Sequence, residues 1–287
     1  QNAARAEDMF RRTRDALNAN MWDEEAGSYC DAYASPDFVR SRRESILGRR
    51  LERTAEAEQD FDAMLARKQG DSSKEVGFLM NGNWTLATPM ETGLAPADKA
   101  ERALAYMNTN RFVGPWGVYL NALNRDATMT ISTGVVAVGQ ARYGHADRAL
   151  NLLERMCSTF GMATLGTISE MSPDYGCFCQ AWTAYALFTP VVRHFFGVQP
   201  EADKARVTLT PNMPAAWPKA KLDGVRVLDG ELDLHYEKTA EGYTLTVTGR
   251  GVKQLHLALK NGETLLQGAC DMTLTENEPV TLRVAQA

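Results

Sequence analysis

Two carboxylates, Glu170 and Asp174, stand close together in a polar, glycine-bounded loop that runs straight into an apolar helix. The stretch reads GTISEMSPDYGCFCQAWTAYALFTPVVRHFFGVQP, Gly166 to Pro200. A carboxylate on a loop at the mouth of a buried helix is partly desolvated, which poises it for acid or base work. Gln180 and Trp182 open the helix: an amide to bond hydroxyls, and a flat aromatic face to stack on. The same residues also have a plain structural use, since acids near a helix start cap it or face its dipole. An apolar helix is, in its simplest reading, core.

Two further stretches carry more aromatic, amide and carboxyl groups than connectors need. GFLMNGNWTLATPMETGLAP, Gly77 to Pro96, holds Asn83, Trp84 and Glu91; RFVGPWGVYLNALNRD, Arg111 to Asp126, holds Trp116 and Tyr119. Their Gly and Pro content predicts irregular loops, and loops on a rigid scaffold are where binding and catalytic groups collect.

Composition narrows the classes. Of 287 residues, 44% are hydrophobic and 23% charged, which is ordinary for a globular chain with a sizeable core. A net charge of −5 argues against nucleic-acid or anionic-membrane partners, which select basic surfaces. No apolar run is long enough to span a bilayer. Five scattered cysteines (Cys30, Cys157, Cys177, Cys179, Cys270) make no disulfide framework. Cys177 and Cys179 lack the partners that would complete a zinc site, and the four histidines are isolated. Neither a metal nor a cofactor is expected. The chain starts at Gln1 with no initiator methionine, so the expectation is a processed chain or one part of a longer polypeptide. The compartment is left open.

Elements must position these groups. Asn2 to Asn20 is a predicted amphipathic helix with Met9, Phe10 and Leu17 near one face. Ser35-Pro36 is a helix start. Asp37 to Gln69 is dense in arginine and glutamate, and reads as one or two solvated helices packed by a thin line through Leu47, Leu51, Phe61 and Leu65. Ala97 to Asn108 is helical. Thr130 to Tyr143 is a nearly all-apolar helix stopped by Gly144. His145 to Phe160 is an amphipathic partner with Leu150, Leu153 and Met156 inward and Arg148, Glu154 and Arg155 outward. This alternation suits inner helices buried on all sides and outer ones half exposed. The last helix carries Pro190, where a kink is expected. After Pro200 apolar and polar residues alternate, with turn pairs Asp229-Gly230, Glu241-Gly242 and Asn261-Gly262 predicting an antiparallel β-sandwich over 201–287.

Three stretches carry a resemblance: NWTLATPMETGLAP, YGHADRALNLL, and GTISEMSPDYGCFCQAWTAYAL running on to FFGVQPEADKARVTLTPNMPAAW. Together with the helix order they resemble the (α/α)6 toroid, or six-hairpin, glycoside hydrolases. The last block is similar to the closing part of α-L-rhamnosidases and amylo-α-1,6-glucosidase-type enzymes. The resemblance implies an α+β multidomain chain, part of a helical toroid over 1–200 and then the sandwich. It makes Glu170, in the Gly-Thr-x-x-Glu loop, the general base of an inverting hydrolase. Inversion needs a second, protonated carboxyl group roughly 6.5–9.5 Å away; the acidic, Trp-rich stretch that carries it in rhamnosidases is not visible here, so the acid is expected in the missing half of the toroid, with Glu91 the alternative within this chain. Trp84, Trp116 and Trp182 would wall the sugar subsite, with Asn83, Tyr119, Asp174 and Gln180 among its polar groups. Only about six helices are legible before Glu201, whereas twelve with connections need upward of roughly 200 residues. The expected partners are therefore an oligosaccharide or glycoside substrate and the missing first half of the toroid, in the same polypeptide or a second subunit.

A debranching-type α-glucosidase is the same-class alternative. A non-catalytic carbohydrate-binding or scaffold subunit would use the aromatic loops without an acid–base pair. A polysaccharide lyase on the same toroid would want a basic cleft, against the acidic balance.

Overall fold

In the computed structural model the described residues are 2–48, 54–68, 70–80, 82, 84–122, 124–173 and 176–286. They fall into two compact units, Gln1–Leu187 and Phe188–Ala287. The fold is mixed helix and sheet, α+β, and its sheets are almost wholly antiparallel. Among the described residues no helix is long and apolar enough to cross a membrane.

The first unit opens with α1 (Asn2–Asn20), which buries none of its residues; Met9 and Phe10 are exposed. Of the expected apolar face, Met9 and Phe10 are uncovered and Leu17 is half-buried. A hairpin, β1 (Trp22–Asp23) and β2 (Ser28–Tyr29), and a strand, β3 (Ala32–Ala34), follow. Ser35 then caps α2 (Pro36–Ser41) as its sequence suggests: its hydroxyl oxygen accepts from Phe38 N at 3.2 Å, and Pro36 takes the first helical position. The charged segment breaks into α2, α3 (Arg43–Gly48) and α4 (Ala55–Arg67), more pieces than its pattern predicted. They hold a small core of their own, Val39, Leu47, Phe61, Met64 and Phe78, with Leu65 against it. Leu51 lies outside the described residues. Phe78 comes from β4 (Val76–Phe78), which pairs with β3.

Both predicted loops turn out to be structured. Trp84–Ala87 forms a 3-10 turn leading into α5 (Thr88–Thr92), which ends on Gly93 at φ +75°. Pro89 near the start and glycine at the end are ordinary helix punctuation, masked in the sequence by the surrounding Gly and Pro. After α6 (Ala97–Met107), the second loop is a sheet: β5 (Val113–Gly114), β6 (Gly117–Asn121) and β7 (Asn124–Met129) pair in order, and β8 (Met171–Ser172) adds to β7. Pro115 and Trp116 form the β5–β6 turn, between Gly114 of β5 and Gly117 of β6.

The centre of this unit is α7 (Thr130–Arg142). Its sequence, TISTGVVAVGQAR, is poor in strong helix formers, yet eleven of its residues are buried. It is helical because neighbours cover it all round, so that every backbone group must be paired internally. Gly134 and Gly139 let those neighbours close in. A Cβ at Gly134 would lie 2.6 Å from Ala186 Cβ, and one at Gly139 3.2 Å from Met90 Cβ. Gly144, at φ +92°, turns the chain into α8 (Ala146–Cys157), whose Leu150, Leu152, Leu153 and Met156 point inward. Arg148 and Glu154 are exposed as expected; Arg155 instead turns back and donates to Gly114 O at 2.9 Å, pinning β5.

The last helix, α9 (Ala181–Phe188), passes into a π-helix at Thr189–Phe195. Pro190 sits in its first turn, and Phe196 N donates to Val191 O, five residues back, at 3.0 Å. The expected proline kink is resolved as a wider turn, which suits a residue with no N–H and a ring that crowds the preceding carbonyl.

The second unit holds two sheets: β9 (Val198–Glu201), β10 (Arg206–Leu209), β14 (Gln254–Leu257) and β16 (Asp271–Thr273) in the order β16-β14-β10-β9, and β11 (Lys219–Val227), β12 (Gly230–Lys238), β13 (Gly242–Arg250), β17 (Val280–Gln286) and β15 (Glu263–Gln267) in the order β11-β12-β13-β17-β15. They share one core, including Val207, Leu209, Leu234, Leu245, Val247, Leu255 and Leu282. One pair, β10 with β14, is parallel, a departure from the wholly antiparallel expectation. The turn pairs also shift. In the β11–β12 hairpin it is Leu228, at φ +54°, that takes the left-handed turn conformation. Gly230 already lies in the strand, where a Cβ would meet Arg250 O at 2.3 Å. Gly242 likewise begins β13 against Val284 O. Asn261-Gly262 joins strands of different sheets, so it makes a crossover rather than a hairpin.

Candidate functional site

The first turn of α7 is where the Glu170 loop, the start of α9 and β6 meet. Thr130 N donates to Glu170 O at 2.9 Å, and Thr183 of α9 donates its hydroxyl proton to Thr130 Oγ1 at 3.0 Å. Thr133 Oγ1 accepts from Val118 N of β6 at 2.9 Å. Gly117 permits that approach, because a Cβ there would stand 2.3 Å from Thr133 Oγ1. The Trp84 turn joins the group through Gly82, whose carbonyl accepts from Ala122 N at 3.1 Å.

Glu170 is held by its own loop. Its N–H donates to Cys177 O at 2.8 Å, and its Oε2 accepts from Cys177 N at 2.9 Å. The carboxylate thus closes the ring of residues between them, with Gly176 at φ +87° where a Cβ would come within 2.7 Å of Oε2. Glu170 is half-buried, one oxygen anchored by a backbone donor, a geometry that orients a general base as readily as it caps a loop. Asp174, its expected companion, lies outside the described residues, as does Asn83.

Glu91 sits on α5 and accepts a hydrogen bond from the Tyr185 hydroxyl of α9. Burial first, and then that carboxylate, push the Tyr185 phenol well above its ordinary range, so it stays a neutral donor. Tyr185 is the residue that sequence reasoning passed over. It sat within an apolar run read as core, and no local pattern marks a contact made 94 residues away. The anchors of the two carboxylates stand apart: Gly139, whose Cβ position is 3.7 Å from Glu91 N, is nine residues beyond Thr130, or ~13 Å along the α7 axis at the helical rise. Tyr185 bridges the two levels. Its ring meets Gly134, about one turn from Thr130, and its hydroxyl meets Glu91.

The aromatic candidates lie on neighbouring elements. Trp84 opens the 3-10 turn and is half-buried. Trp116 is half-buried in the β5–β6 turn. Tyr119 on β6 lays its ring on Gly114, where a Cβ would be 2.5 Å from it, and faces Thr128 across the sheet. Gln180 and Trp182 are half-buried at the start of α9, and Gln180 O accepts from Thr183 N at 3.1 Å. Trp182 Nε1 is buried and finds no partner among the described residues. Among the described residues no cluster of three or more His, Cys, Asp or Glu is arranged to hold a metal.

No family model matches the chain, and no curated protein matches it either. Solved structures similar to it include a protein described as a kojibiose phosphorylase from the human microbiome, at 12% identity and a TM-score of 0.38, covering 68% of this chain and 24% of that one. Another is an α-L-rhamnosidase from Dictyoglumus thermophilum, at 14% identity and a TM-score of 0.41, covering 86% of this chain and 29% of that one. The chain thus spans less than a third of either neighbour's length. Both neighbours are carbohydrate-processing enzymes by description; a likeness at that level carries no argument about activity.

Proposed function

We propose that this chain is a carbohydrate-active enzyme, an inverting glycoside hydrolase that removes a terminal sugar in the manner of an α-L-rhamnosidase. Glu170 acts as general base, taking a proton from the attacking water while its second oxygen is held by Cys177 N. Glu91 acts as general acid, carrying its proton on the oxygen that does not accept from Tyr185; its carboxyl and that of Glu170 must lean toward each other from anchors ~13 Å apart to reach the roughly 6.5–9.5 Å that inversion needs. Trp84, Trp116, Tyr119, Trp182 and Gln180 supply the subsite, with Asn83 and Asp174 assigned to it from the sequence. The observation that carries the reading is the meeting of both carboxylate-bearing segments and the aromatic ones on a single buried helix, α7. The resemblance to six-hairpin enzymes adds a second half-toroid, supplied by further polypeptide or another subunit. A denaturing intact-mass spectrum of active material identifies which.

The deciding experiment is Glu170→Gln, assayed on a panel of p-nitrophenyl glycosides with the product anomer followed by proton NMR. Losing a positioned base costs about 10²–10⁴-fold in turnover, with sugar binding by calorimetry retained. Unchanged turnover removes Glu170 from the chemistry. Sugar binding with no turnover in the unmodified chain favours the non-catalytic carbohydrate-binding reading instead. Activity on α-glucosides alone moves the assignment to the debranching type.

A further inference from the structure

A second site lies in the first unit, away from α7, along the outer edge of β3. A groove of about 510 Å³ is lined there by Ala32, Tyr33, Ala34, Phe38 and Arg42 over a floor that includes Ile46 and Met80. Successive strand residues point to opposite faces. A groove lined by three consecutive strand residues therefore runs along the strand's edge, where backbone groups are presented. Among the described strands β3 pairs only with β4, on its other side. The outer edge of β3 in this two-stranded ribbon is a template for a further strand.

Tyr33 and Phe38 are 46% and 54% exposed, high for aromatic rings. The Arg42 guanidinium lies over the Phe38 ring, 5.7 Å from its centroid. Among the described residues no carboxylate pairs with it, whereas Arg40 is taken by Asp37, and Arg43 by Glu44, Glu58 and Asp62. A guanidinium held over a ring face keeps N–H groups to offer a carboxylate. Ser45 beside it is exposed, and its hydroxyl makes no hydrogen bond among the described residues.

We infer that this edge binds an extended acidic peptide. The peptide adds as a strand to β3, rests an apolar side chain on Ile46 and Met80, and gives a carboxylate to Arg42. Backbone pairing supplies affinity, and the arginine selects charge.

The test uses the whole chain and fluorescein-labelled hexapeptides alternating valine with glutamate, lysine or serine, read by anisotropy. The glutamate peptide binds saturably, and Arg42→Gln weakens it at least about tenfold, roughly what a lost charge-assisted hydrogen bond is worth. Ser45→Asp, which places a like charge beside the incoming carboxylate, weakens it as well. Both substitutions are at exposed positions, and an unchanged melting temperature establishes that the variants are folded. Methylating alternate backbone nitrogens of the peptide abolishes binding, because strand pairing needs those N–H groups. Equal binding of the lysine peptide, indifference to Arg42→Gln or to N-methylation, displacement by maltohexaose, or absence of binding at millimolar peptide each overturns the inference.

Discussion

The Tyr185 hydroxyl donates to the Glu91 carboxylate, joining α9 to α5 across the face of α7. Neither residue is near the other in sequence, and both are half-buried. Removing the hydroxyl by Tyr185→Phe leaves the ring's packing against Gly134 and frees the Glu91 carboxylate. The expected result is a fall in kcat of about tenfold or more, with KM little changed, because a positioned acid is lost and subsite area is not. Unfolding by urea should show a cost of about 1–2 kcal/mol, the worth of a hydrogen bond to a charged group. Equal falls in kcat and in stability-corrected binding would mark Tyr185 as scaffold only.

The same burial makes an alkaline prediction. Tyr29, Tyr185 and Tyr243 all have phenols raised above their ordinary range, chiefly by burial. A raised folded pKa favours the protonated native state, so this stability is fully present below about pH 10, the unfolded value. It is lost as pH rises above it. Urea midpoints measured from pH 8 to 11 should hold steady and then fall, with a shallower fall in Tyr185→Phe.

Gly176 tests the Glu170 loop without touching the carboxylate. At φ +87°, with Glu170 Oε2 only 2.7 Å from the Cβ position, Gly176→Ala is strained and must push Glu170 aside. A cost of about 1 kcal/mol in stability follows from the backbone alone. If Glu170 is the base, turnover falls by at least about tenfold more than that loss of folded protein explains. Turnover that tracks only the folded fraction argues that the loop is structural.

Two helical glycines separate packing from propensity. Gly134→Ala puts a methyl group 2.6 Å from Ala186 Cβ and should destabilise by about 1–3 kcal/mol through overpacking. Gly48→Ala, at the end of α3 with nothing within 4 Å among the described residues, should be neutral or stabilising by up to about 1 kcal/mol. Denaturant midpoints of the two variants decide it; equal shifts would refute a tight α7–α9 contact.

The second unit has an acid-sensitive tie. Arg250, and after it the Gly224 N–H, hold the Asp233 carboxyl down at about 2. A lowered folded pKa gives stability above the unfolded value, near pH 4, that is lost as pH falls through about 2. Circular dichroism of the strands from pH 5 to 1.5 should show loss in that window, flattened in Asp233→Asn.

Periodicity alone determined the long elements. Thr130–Arg142, Ala146–Cys157, Ala97–Met107 and the alternating strands after Pro200 are all where their apolar spacing put them, because each must turn one surface, or all of it, away from water. Glu170 and the aromatic residues were legible as candidates because their segments carry more functional groups than connectors need. What periodicity could not supply is anything decided by contacts distant along the chain. The β5–β8 sheet was hidden in a Gly-rich stretch, since short strands are made by partners such as Thr133 and Arg155 rather than by propensity. The parallel β10–β14 pair, the π-helix at Pro190 and the exposure of Met9 and Phe10 on α1 were likewise invisible. So was Tyr185, whose partner comes from another helix. Local spacing specifies which surface a segment buries; only the packed chain specifies against what.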